Sequence, residues 1–313
     1  MRQIFNPLLA APFFAKNSLV LAKGFGQKVF EKKPMAFSFN VSEHCPNNCK
    51  CYWRAQPTVE EWPEEKVIEF FKQKRKDGFV QVTLVGGEPY CRPQLLEKIC
   101  GIIPFAWLVT SGTVPLRKLK STLHVISMDG LRETHDKLRG NKGLYDRIEK
   151  NIKAAKEKDI GPIYLHTTLN HVNHKEIGEM LELWRESGLV EGIMISTMTP
   201  TKDAHDEPLR LSREERIWIV EELHRLKPIY GNFMAMTDNM IDRLHPDHTK
   251  DLTPENCKFA LDIESYNGAG GRISPCVLSG KADCTQCGCV VTNMATGGGV
   301  ETTDYFTRLA SIK

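Results

Sequence analysis

Short apolar segments alternate with helical segments between residue 34 and about residue 230, and this alternation constrains the fold more than any other feature of the sequence. Repeated strand–helix units are typical of a parallel sheet or barrel with helices packed against it. The first apolar segment also alternates apolar residues with small or polar ones, as a strand with two unlike faces does. The predicted strands are 35–41, 79–85, 105–110, 124–127, 163–169 and 192–197. The sequence therefore predicts an α/β fold.

The helices between these strands carry recognisable end signals. Pro63 suits the first turn of a helix, where a missing backbone N–H costs no hydrogen bond. Ser212 with Glu215, and Asn173 with Glu176, have the spacing of a capping box. These pairs predict that helices begin directly after them.

The regular alternation ends near residue 230, where a tail rich in cysteine and glycine follows. We divide the chain into an apolar lead-in (1–33), a barrel domain (34–230) and a small cysteine-bearing module (231–313). With 41% apolar and 26% charged residues, the chain has enough apolar side chains for a full core. Its formal net charge of +3 lacks the basic excess of nucleic-acid binders, so no nucleic acid is indicated. Proline and lysine interrupt the lead-in too often for a transmembrane helix.

The ten cysteines are clumped: three lie within seven residues and five within the last sixty. Clumped thiols indicate metal ligation in a reducing compartment, which predicts a cytoplasmic protein. Cys91 and Cys100 stand apart and are interpreted as ordinary buried thiols. The clumped cysteines are Cys45, Cys49, Cys51, Cys257, Cys276, Cys284, Cys287 and Cys289.

The first group, Cys45, Cys49 and Cys51, lies on the loop after the first predicted strand, here called the cysteine loop (45–51). Three thiolates on one loop can bind three irons of a [4Fe–4S] cluster and leave the fourth iron open to an exchangeable ligand. The alternative is a zinc site, which usually takes four protein ligands from more widely spaced pairs.

Further motifs lie just after predicted strands, where the loops of a barrel line its mouth. They read Gly-Gly-Glu-Pro at 86–89, Thr-Ser-Gly at 110–112, Ser-Met-Asp-Gly at 127–130 and His-Asp-Lys-Leu-Arg-Gly at 135–140. With the cysteine loop, these segments resemble the radical S-adenosylmethionine (SAM) superfamily over most of the chain. The resemblance implies a partial (β/α)6 TIM-like barrel that binds SAM and a [4Fe–4S] cluster.

The resemblance also implies roles for single residues. Residues 86–89 would hold the amino group of SAM, Ser127 its ribose, and Arg139 its carboxylate, a bond that a guanidinium makes well. The alternative for Arg139 is a surface salt bridge with an adjacent helix. The residues assigned to SAM binding are Gly86, Gly87, Glu88, Pro89, Ser111, Ser127, Asp129 and Arg139.

The cysteine loop departs from the commonest spacing of the superfamily. Only one residue separates Cys49 from Cys51, where two are usual, and Tyr52 stands at the ordinary position of the third thiol. In an extended segment residues i and i+2 point the same way, so Cys51 can still serve as a ligand. The departure therefore bears on the geometry of the cluster rather than on the fold.

The tail contains Gly271 and Cys276 with four residues between them, which is similar to the opening of SPASM and twitch modules. Such modules bind auxiliary iron–sulfur clusters. The resemblance implies a small twitch-like module with one auxiliary [4Fe–4S] cluster and Cys289 as a spare or substitute ligand. Its four ligands would be Cys257, Cys276, Cys284 and Cys287. The alternative is a structural zinc knuckle with the same thiols.

The resemblance implies an enzyme that cleaves SAM reductively to a 5′-deoxyadenosyl radical, which takes hydrogen from an unactivated C–H bond. An external flavodoxin or ferredoxin would supply the electron. The sequence singles out no acid or base for later steps, although His166, Tyr164 and Thr197 lie near suitable strand ends. The alternative from another class is an iron–sulfur electron-transfer protein without SAM chemistry.

Two substrate classes stay open. Segment 129–133 and the apolar lead-in look like features of relatives that act on lipids, which predicts a small-molecule or lipid (isoprenoid) substrate and peripheral membrane contact. The alternative for the lead-in is that it covers the open flank of the barrel. Peptide or protein modification is the second class, because SPASM and twitch modules commonly accompany it. The residues predicted to contact the membrane are Ile4, Phe5, Leu8, Leu9, Phe13 and Phe14.

Overall fold

The computed structural model describes residues 7–49, 59–202, 208–278 and 280–296, with side chains described between residues 15 and 293. Its strands are β1 (Ala36–Ser42), β2 (Gln81–Gly86), β3 (Phe105–Thr110), β4 (Thr122–Ser127), β5 (Ile163–Leu169), β6 (Gly192–Thr197), β7 (Ile263–Tyr266) and β8 (Arg272–Ile273). They form one sheet in the order β6–β5–β4–β3–β2–β1–β7–β8. Neighbours are parallel except for the antiparallel pair β7 and β8. The α/β class, with six successive parallel strands in a TIM-like arrangement, is confirmed.

Helices connect most of these strands. They are α1 (Pro7–Gly26), α2 (Glu64–Lys76), α3 (Pro93–Ile99), α4 (Arg132–Arg139), α5 (Leu144–Glu157), α6 (Ile177–Ser187), α7 (Arg213–Tyr230), α8 (Asp238–Asp242), α9 (Pro246–Thr249), α10 (Lys258–Asp262) and α11 (Val290–Thr296). Such crossover helices are what parallel neighbours require. Helix α1 packs on the face of the sheet opposite to that covered by α2 and α6.

One of the two predicted capping boxes forms and the other does not. Ser212 and Glu215 exchange hydrogen bonds at the start of α7, as predicted. The box at Asn173 and Glu176 was wrong, because tertiary contacts take both side chains. Asn173 donates its side-chain N–H to the carbonyl of Asp129 at 2.9 Å, and Glu176 accepts hydrogen bonds from the loop after β4 and from α4. Both residues therefore fix that loop instead of a helix end.

The barrel sheet buries apolar side chains on both faces, as parallel sheets do. On the outer face, Phe39 packs in one cluster with Phe71 of α2 and Trp184 of α6. On the inner face, Trp107 belongs to a separate cluster that includes Val20 of α1. Two other members, Val80 and Phe105, lie just before β2 and at the first residue of β3, so α1 packs near the end of the barrel at which the strands begin.

The tail joins the barrel sheet at both of its edges. Strand β7 pairs with β1, so that Tyr266 lies beside Phe39. At the other edge, Thr197 N–H donates to Gly288 O at 3.0 Å and Gly288 N–H donates to Thr199 Oγ1 at 3.0 Å. These bonds satisfy edge groups that would otherwise be open to other chains. The described tail thus extends the sheet of the barrel, and the division of the chain at residue 230 stays a prediction.

None of the described helices combines the length and the apolar character needed to cross a membrane. The predicted membrane contact stays a prediction, because its residues, or their side chains, lie outside what the structure describes. These residues are Ile4, Phe5, Leu8, Leu9, Phe13 and Phe14.

Three histidines predict how the fold responds to acid. Burial lowers the pKa of His124, of His135 and of His166 to about 4. In an unfolded chain a histidine has a pKa of about 6.5, so above that pH both states leave the rings neutral. Between about pH 6.5 and 4 only the unfolded chain binds the protons. The free energy of unfolding should therefore fall by about 1.4 kcal/mol for each ring and for each unit by which the pH is lowered. Urea unfolding at a series of pH values measures this slope.

The matched variant for this prediction is His124→Gln. Glutamine does not titrate but can still meet the Tyr90 hydroxyl, whose oxygen lies 3.2 Å from His124 Nε2. The variant should unfold with a shallower dependence on pH than the wild type. An identical dependence would mean that His124 is not responsible for the loss of stability in acid.

Candidate functional site

The cysteine loop leaves the carboxyl end of β1 and is held on one side by the loop after β2. Gly87 N–H donates to Ser42 O at 2.8 Å, and Glu88 N–H donates to His44 O at 2.7 Å. Two main-chain hydrogen bonds therefore fix the residues that lead into the cysteine loop against the Gly-Gly-Glu-Pro segment.

Gly86, the last residue of β2, makes this contact sterically possible. A Cβ at this position would lie 2.2 Å from Ser42 O, and φ is +121°, which side chains of L-residues rarely adopt. A larger residue would have to push the end of β1 away. Glycine is therefore required here for the two loops to touch.

The other side of the cysteine loop meets the segment that ends α4. A Cβ at Gly140 would lie 2.2 Å from Asn48 O, at a φ of +60°. Asn141 donates its side-chain N–H to Asn47 Oδ1 at 2.7 Å, and Asn47 donates to Thr113 Oγ1 at 3.3 Å. Sequence reasoning missed these asparagine contacts, and the only signal for them was the glycine that closes the His-Asp-Lys-Leu-Arg-Gly motif.

Two of the three predicted thiols of this loop, Cys45 and Cys49, are described, whereas Cys51 and Tyr52 lie outside the described residues. Burial raises the pKa of the Cys45 thiol to about 11, and the charges of Cys49 and Glu88 act in the same direction. A metal binds the thiolate, so iron has to displace a proton from this thiol at neutral pH. Two buried or half-buried thiols on one loop suit an iron–sulfur cluster.

Glu88 is 1% exposed and accepts hydrogen bonds only from neutral groups in the part of the chain that the structure describes. Thr110 Oγ1 donates to it at 2.7 Å, and Ser111 donates through its backbone N–H at 2.8 Å and through Oγ at 2.5 Å. Tyr90 N–H adds a fourth bond at 3.1 Å, on the short turn that Pro89 begins. These bonds satisfy the carboxylate without neutralising its charge, so a cation nearby would be stabilised.

An ion pair lies beside the thiols. Arg139 Nη2 is 2.6 Å from Asp129 Oδ2, and Arg139 Nη1 donates to Cys49 Sγ at 3.9 Å. Thr168 N–H donates to Asp129 Oδ1 at 3.0 Å, and Asp129 N–H donates to His135 Nδ1 at 3.0 Å. Asp129 is thus held by β5 and α4, and it orients the guanidinium toward the cysteine loop. The contacts of Asp129 and Arg139 with SAM stay predictions.

The inner face of the barrel presents polar residues near the ends of β4, β5 and β6. Ser127, at the end of β4, lies in register with His166 of β5, and its contact with a ribose stays a prediction. His166 Nε2 lies 2.8 Å from Ser196 Oγ of β6. Of the other strand positions considered, Tyr164 belongs to the inner apolar cluster and Thr197 contacts the tail. His166 is the one of the three that faces the predicted SAM site.

The tail brings its cysteines into one region. The thiol of Cys276 interacts electrostatically with those of Cys257, Cys284 and Cys287. Burial raises the pKa of Cys276 to about 11 and that of Cys287 to about 12. Among the described residues, no three cysteine, histidine or carboxylate side chains are close enough to hold a single metal ion. A cubane cluster takes each thiolate at a separate iron, so the gathered thiols are compatible with it. Cys289 interacts with Cys276 as well.

Residues 39–184 match the family model described as the Radical SAM superfamily. This match identifies residues 39–184, which include the cysteine loop and the motif segments, as a Radical SAM region of the chain. Proteins of the superfamily use a [4Fe–4S] cluster and SAM, and the chemistry of the thiols, Glu88 and Arg139 fits both.

Three curated relatives cover different shares of the chain. The sporulation killing factor maturation protein SkfB of Bacillus subtilis (strain 168) is 25% identical over 263 residues, which is 78% of this chain and 60% of that protein. Fe-coproporphyrin III synthase of Methanosarcina barkeri is 30% identical over 190 residues, 55% of this chain and 46% of that protein. A probable GTP 3′,8-cyclase of Saccharolobus solfataricus is 29% identical over 139 residues, 41% of this chain and 45% of that protein. The chain thus spans between 45% and 60% of the length of these relatives.

Solved structures share the fold at low sequence identity. Streptococcus suis SuiB bound to S-adenosylmethionine has a TM-score of 0.63 at 15% identity and covers 78% of this chain and 60% of that chain. SuiB bound to the precursor peptide SuiA has a TM-score of 0.65 at 14% identity and covers 93% of this chain and 74% of that chain. At these identities the likeness establishes the fold alone.

The contact at Gly140 predicts a specific effect of Gly140→Ala on cluster binding. The new Cβ would strain a left-handed residue and would also displace the backbone of Asn48. We expect lower stability in urea unfolding and fewer irons per chain after anaerobic reconstitution.

The matched control is Gly188→Ala. Gly188 also ends a helix, at a φ of +62°, but nothing lies within 4 Å of a Cβ built there. This variant should lose about 1–2 kcal/mol of stability from the left-handed conformation and retain its iron. Equal iron contents in the two variants would contradict the steric argument.

Proposed function

We propose that the protein is a radical SAM enzyme that modifies peptides. The observation that carries the SAM chemistry is the approach of two motif loops to the backbone at the cysteine loop: Gly86–Glu88 contact Ser42 and His44 directly before it, and Gly140 contacts Asn48 within it. The peptide class is supported by the fold shared with SuiB, whose structure holds a precursor peptide, and by the relative SkfB, a maturation protein. None of the relatives reported above is described as acting on a lipid, so the lipid or isoprenoid substrate lacks comparable support.

In this proposal a [4Fe–4S] cluster on Cys45, Cys49 and Cys51, with SAM bound to it, supplies the 5′-deoxyadenosyl radical. The chain contributes charge and orientation. The uncompensated buried carboxylate of Glu88 attracts the ammonium group of SAM. Arg139, directed toward the cysteine loop, binds the carboxylate of SAM through charge-assisted hydrogen bonds.

The barrel interior would protect a radical from side reactions. Below Ser127, the inner face is lined by apolar residues such as Trp107 and Val125, and α1 covers the far end through Val20 and Leu21. A site that excludes water on one side and opens at the mouth admits a substrate while limiting quenching. We infer that the substrate enters at the carboxyl ends of the strands.

The tail would bind the auxiliary [4Fe–4S] cluster through Cys257, Cys276, Cys284 and Cys287. Residues 281–290 run along the segment after β6, with Asp283 N–H donating to Pro200 O at 2.8 Å. When one hydrogen atom has left the substrate for the radical, an oxidative product requires the loss of one more electron and one proton. A cluster beside the mouth of the barrel is a suitable acceptor for that electron, and an external flavodoxin or ferredoxin would supply the first one.

The cysteine loop and the tail cysteines predict different effects for two alanine variants. Cys49→Ala should remove one cluster and all formation of 5′-deoxyadenosine, because the SAM-binding iron is lost. Cys287→Ala should lower the iron content by about one cluster and still release 5′-deoxyadenosine. The assays are iron and sulfide analysis and chromatography after anaerobic reconstitution and reduction with dithionite.

Cys91→Ser is the control, because Cys91 lies outside both groups and is exposed, so the prediction that it is buried was wrong. It should match the wild type in both assays. If elemental analysis found zinc in place of iron in the tail of the wild-type protein, the proposed auxiliary cluster would be wrong. A wild-type protein with an intact first cluster and no 5′-deoxyadenosine would favour the electron-transfer alternative.

The peptide class is tested with a library of short linear peptides. Wild-type holoenzyme, SAM and dithionite should yield peptides that are lighter by two hydrogens, detected by mass spectrometry, together with 5′-deoxyadenosine. Cys49→Ala should yield none. Vesicles of isoprenoid lipid form the second arm of the experiment. If the lipid is modified and the peptides are not, the substrate is assigned to the lipid class and the peptide class is wrong.

A further inference from the structure

A short chain of hydrogen bonds connects the tail with the inner face of the barrel. Val290, the first residue of α11, donates its N–H to Ser196 Oγ at 3.0 Å. Ser196 Oγ lies 2.8 Å from His166 Nε2. The backbone next to Cys289 therefore reaches, through one hydroxyl group, an imidazole ring inside the barrel.

These contacts fix the tautomer of the ring. Ser196 has one O–H donor and two lone pairs, and Val290 N–H uses one lone pair. If His166 Nε2–H donated to Ser196, the hydroxyl proton would need another acceptor, and the structure records none for it among the residues it describes. Pairing of all the recorded groups therefore favours a hydroxyl that donates to Nε2, which leaves the ring proton of His166 on Nδ1. Burial lowers the pKa of His166 to about 4, so the ring is neutral at pH 7.

The Nδ1–H donor borders the predicted SAM site. Within the part of the chain described, the structure records no hydrogen bond to His166 Nδ1. His166 lies in register with Ser127 on the neighbouring strand, and it interacts electrostatically with Asp129 and Arg139. These two charges already pair with each other at 2.6 Å. A neutral acceptor therefore suits this position better than a second charged group.

We propose that His166 Nδ1–H donates a hydrogen bond to an amide carbonyl of the peptide substrate, and that Val290 and Ser196 fix the ring for this contact. The inference rests on the proposed function, because it assigns the substrate to the mouth of the barrel. A hydrogen bond to a carbonyl would hold the neighbouring C–H bond in place for abstraction. His166 is thus a substrate-positioning residue, and the tail takes part in the substrate site through its main chain.

The first experiment measures the tautomer in full-length reconstituted protein labelled with 15N-histidine. Nitrogen chemical shifts distinguish Nδ1–H from Nε2–H, and His166→Asn identifies the signals of His166. Val290→Pro removes the N–H donor, and proline is tolerated at the first position of a helix. The wild type should show Nδ1–H, whereas Val290→Pro should show a population of Nε2–H.

Val290→Ala is the matched control, because it trims the same side chain but keeps the N–H donor, so it should retain the wild-type tautomer. Ser196→Ala is a second test of the same contact, because it removes the hydroxyl group itself. This variant should also show a population of Nε2–H. Nε2–H in the wild type, or an unchanged tautomer in both Val290→Pro and Ser196→Ala, would overturn the role of the tail.

The second experiment compares the amount of modified peptide with the amount of 5′-deoxyadenosine in the library assay. His166→Phe keeps a ring and removes the donor, and should lower the ratio of modified peptide to 5′-deoxyadenosine by about tenfold. His166→Asn places an amide N–H near the position of Nδ1 and should restore most of the ratio. Formation of 5′-deoxyadenosine by both variants is also measured without peptide, because a loss there would assign the ring to SAM instead of the substrate.

The outcomes separate this inference from the proposed function. If the wild type modifies peptides and His166→Phe does so equally well, only the role of His166 is wrong. If His166→Phe loses 5′-deoxyadenosine formation without peptide, the ring serves SAM and the carbonyl contact is wrong. If the wild type modifies no peptide, the proposed function and the contact fall together.

Discussion

The arrangement of the site depends on two places where one main chain touches another without an intervening side chain. Gly86 brings the end of β2 against Ser42, and Gly140 brings the end of α4 against Asn48. These contacts lie at both ends of the segment 42–48, which matters because metal ligands need a defined geometry. The residues just before the cysteine loop, and Asn48 within it, are therefore positioned by glycines that allow two main chains to touch. Motifs far apart in the sequence thus meet at one place in the fold.

The electrostatics of the site follow from the same packing. Glu88 is buried with neutral donors, whereas Asp129 is paired with Arg139. An isolated buried carboxylate is costly, and four hydrogen bonds reduce that cost without removing the charge. The site keeps one uncompensated negative charge and one oriented guanidinium group. A ligand with an ammonium group and a carboxylate, such as the methionyl part of SAM, complements both.

Local sequence signals predicted the sheet better than they predicted the site. The ranges of β3, β5 and β6 agree with the prediction, because alternation of apolar residues and turn signals are local properties. Asn173 and Glu176 show where local reasoning fails, since both side chains satisfy the loop after β4, which lies about 45 residues away along the chain. The contacts of Val290 with Ser196 join residues separated by 94 positions. No spacing rule within one segment reports such contacts, so they required the structure.

The tail, like the cysteine loop, is positioned by a glycine at which two main chains touch. A Cβ at Gly288 would lie 1.9 Å from Thr197 Oγ1 and 2.2 Å from Thr197 O, so the tail approaches the end of β6 as closely as a main chain can. Gly288 stands between Cys287 and Cys289, and Val290 follows directly. Because these residues are consecutive, the close contact of Gly288 with Thr197 fixes the position of the tail cysteines relative to β6. The same contact fixes the position of the Val290 N–H that donates to Ser196. The part of the tail that carries the predicted cluster ligands and the inner face of the barrel are therefore coupled by backbone geometry, independently of which group the thiols bind.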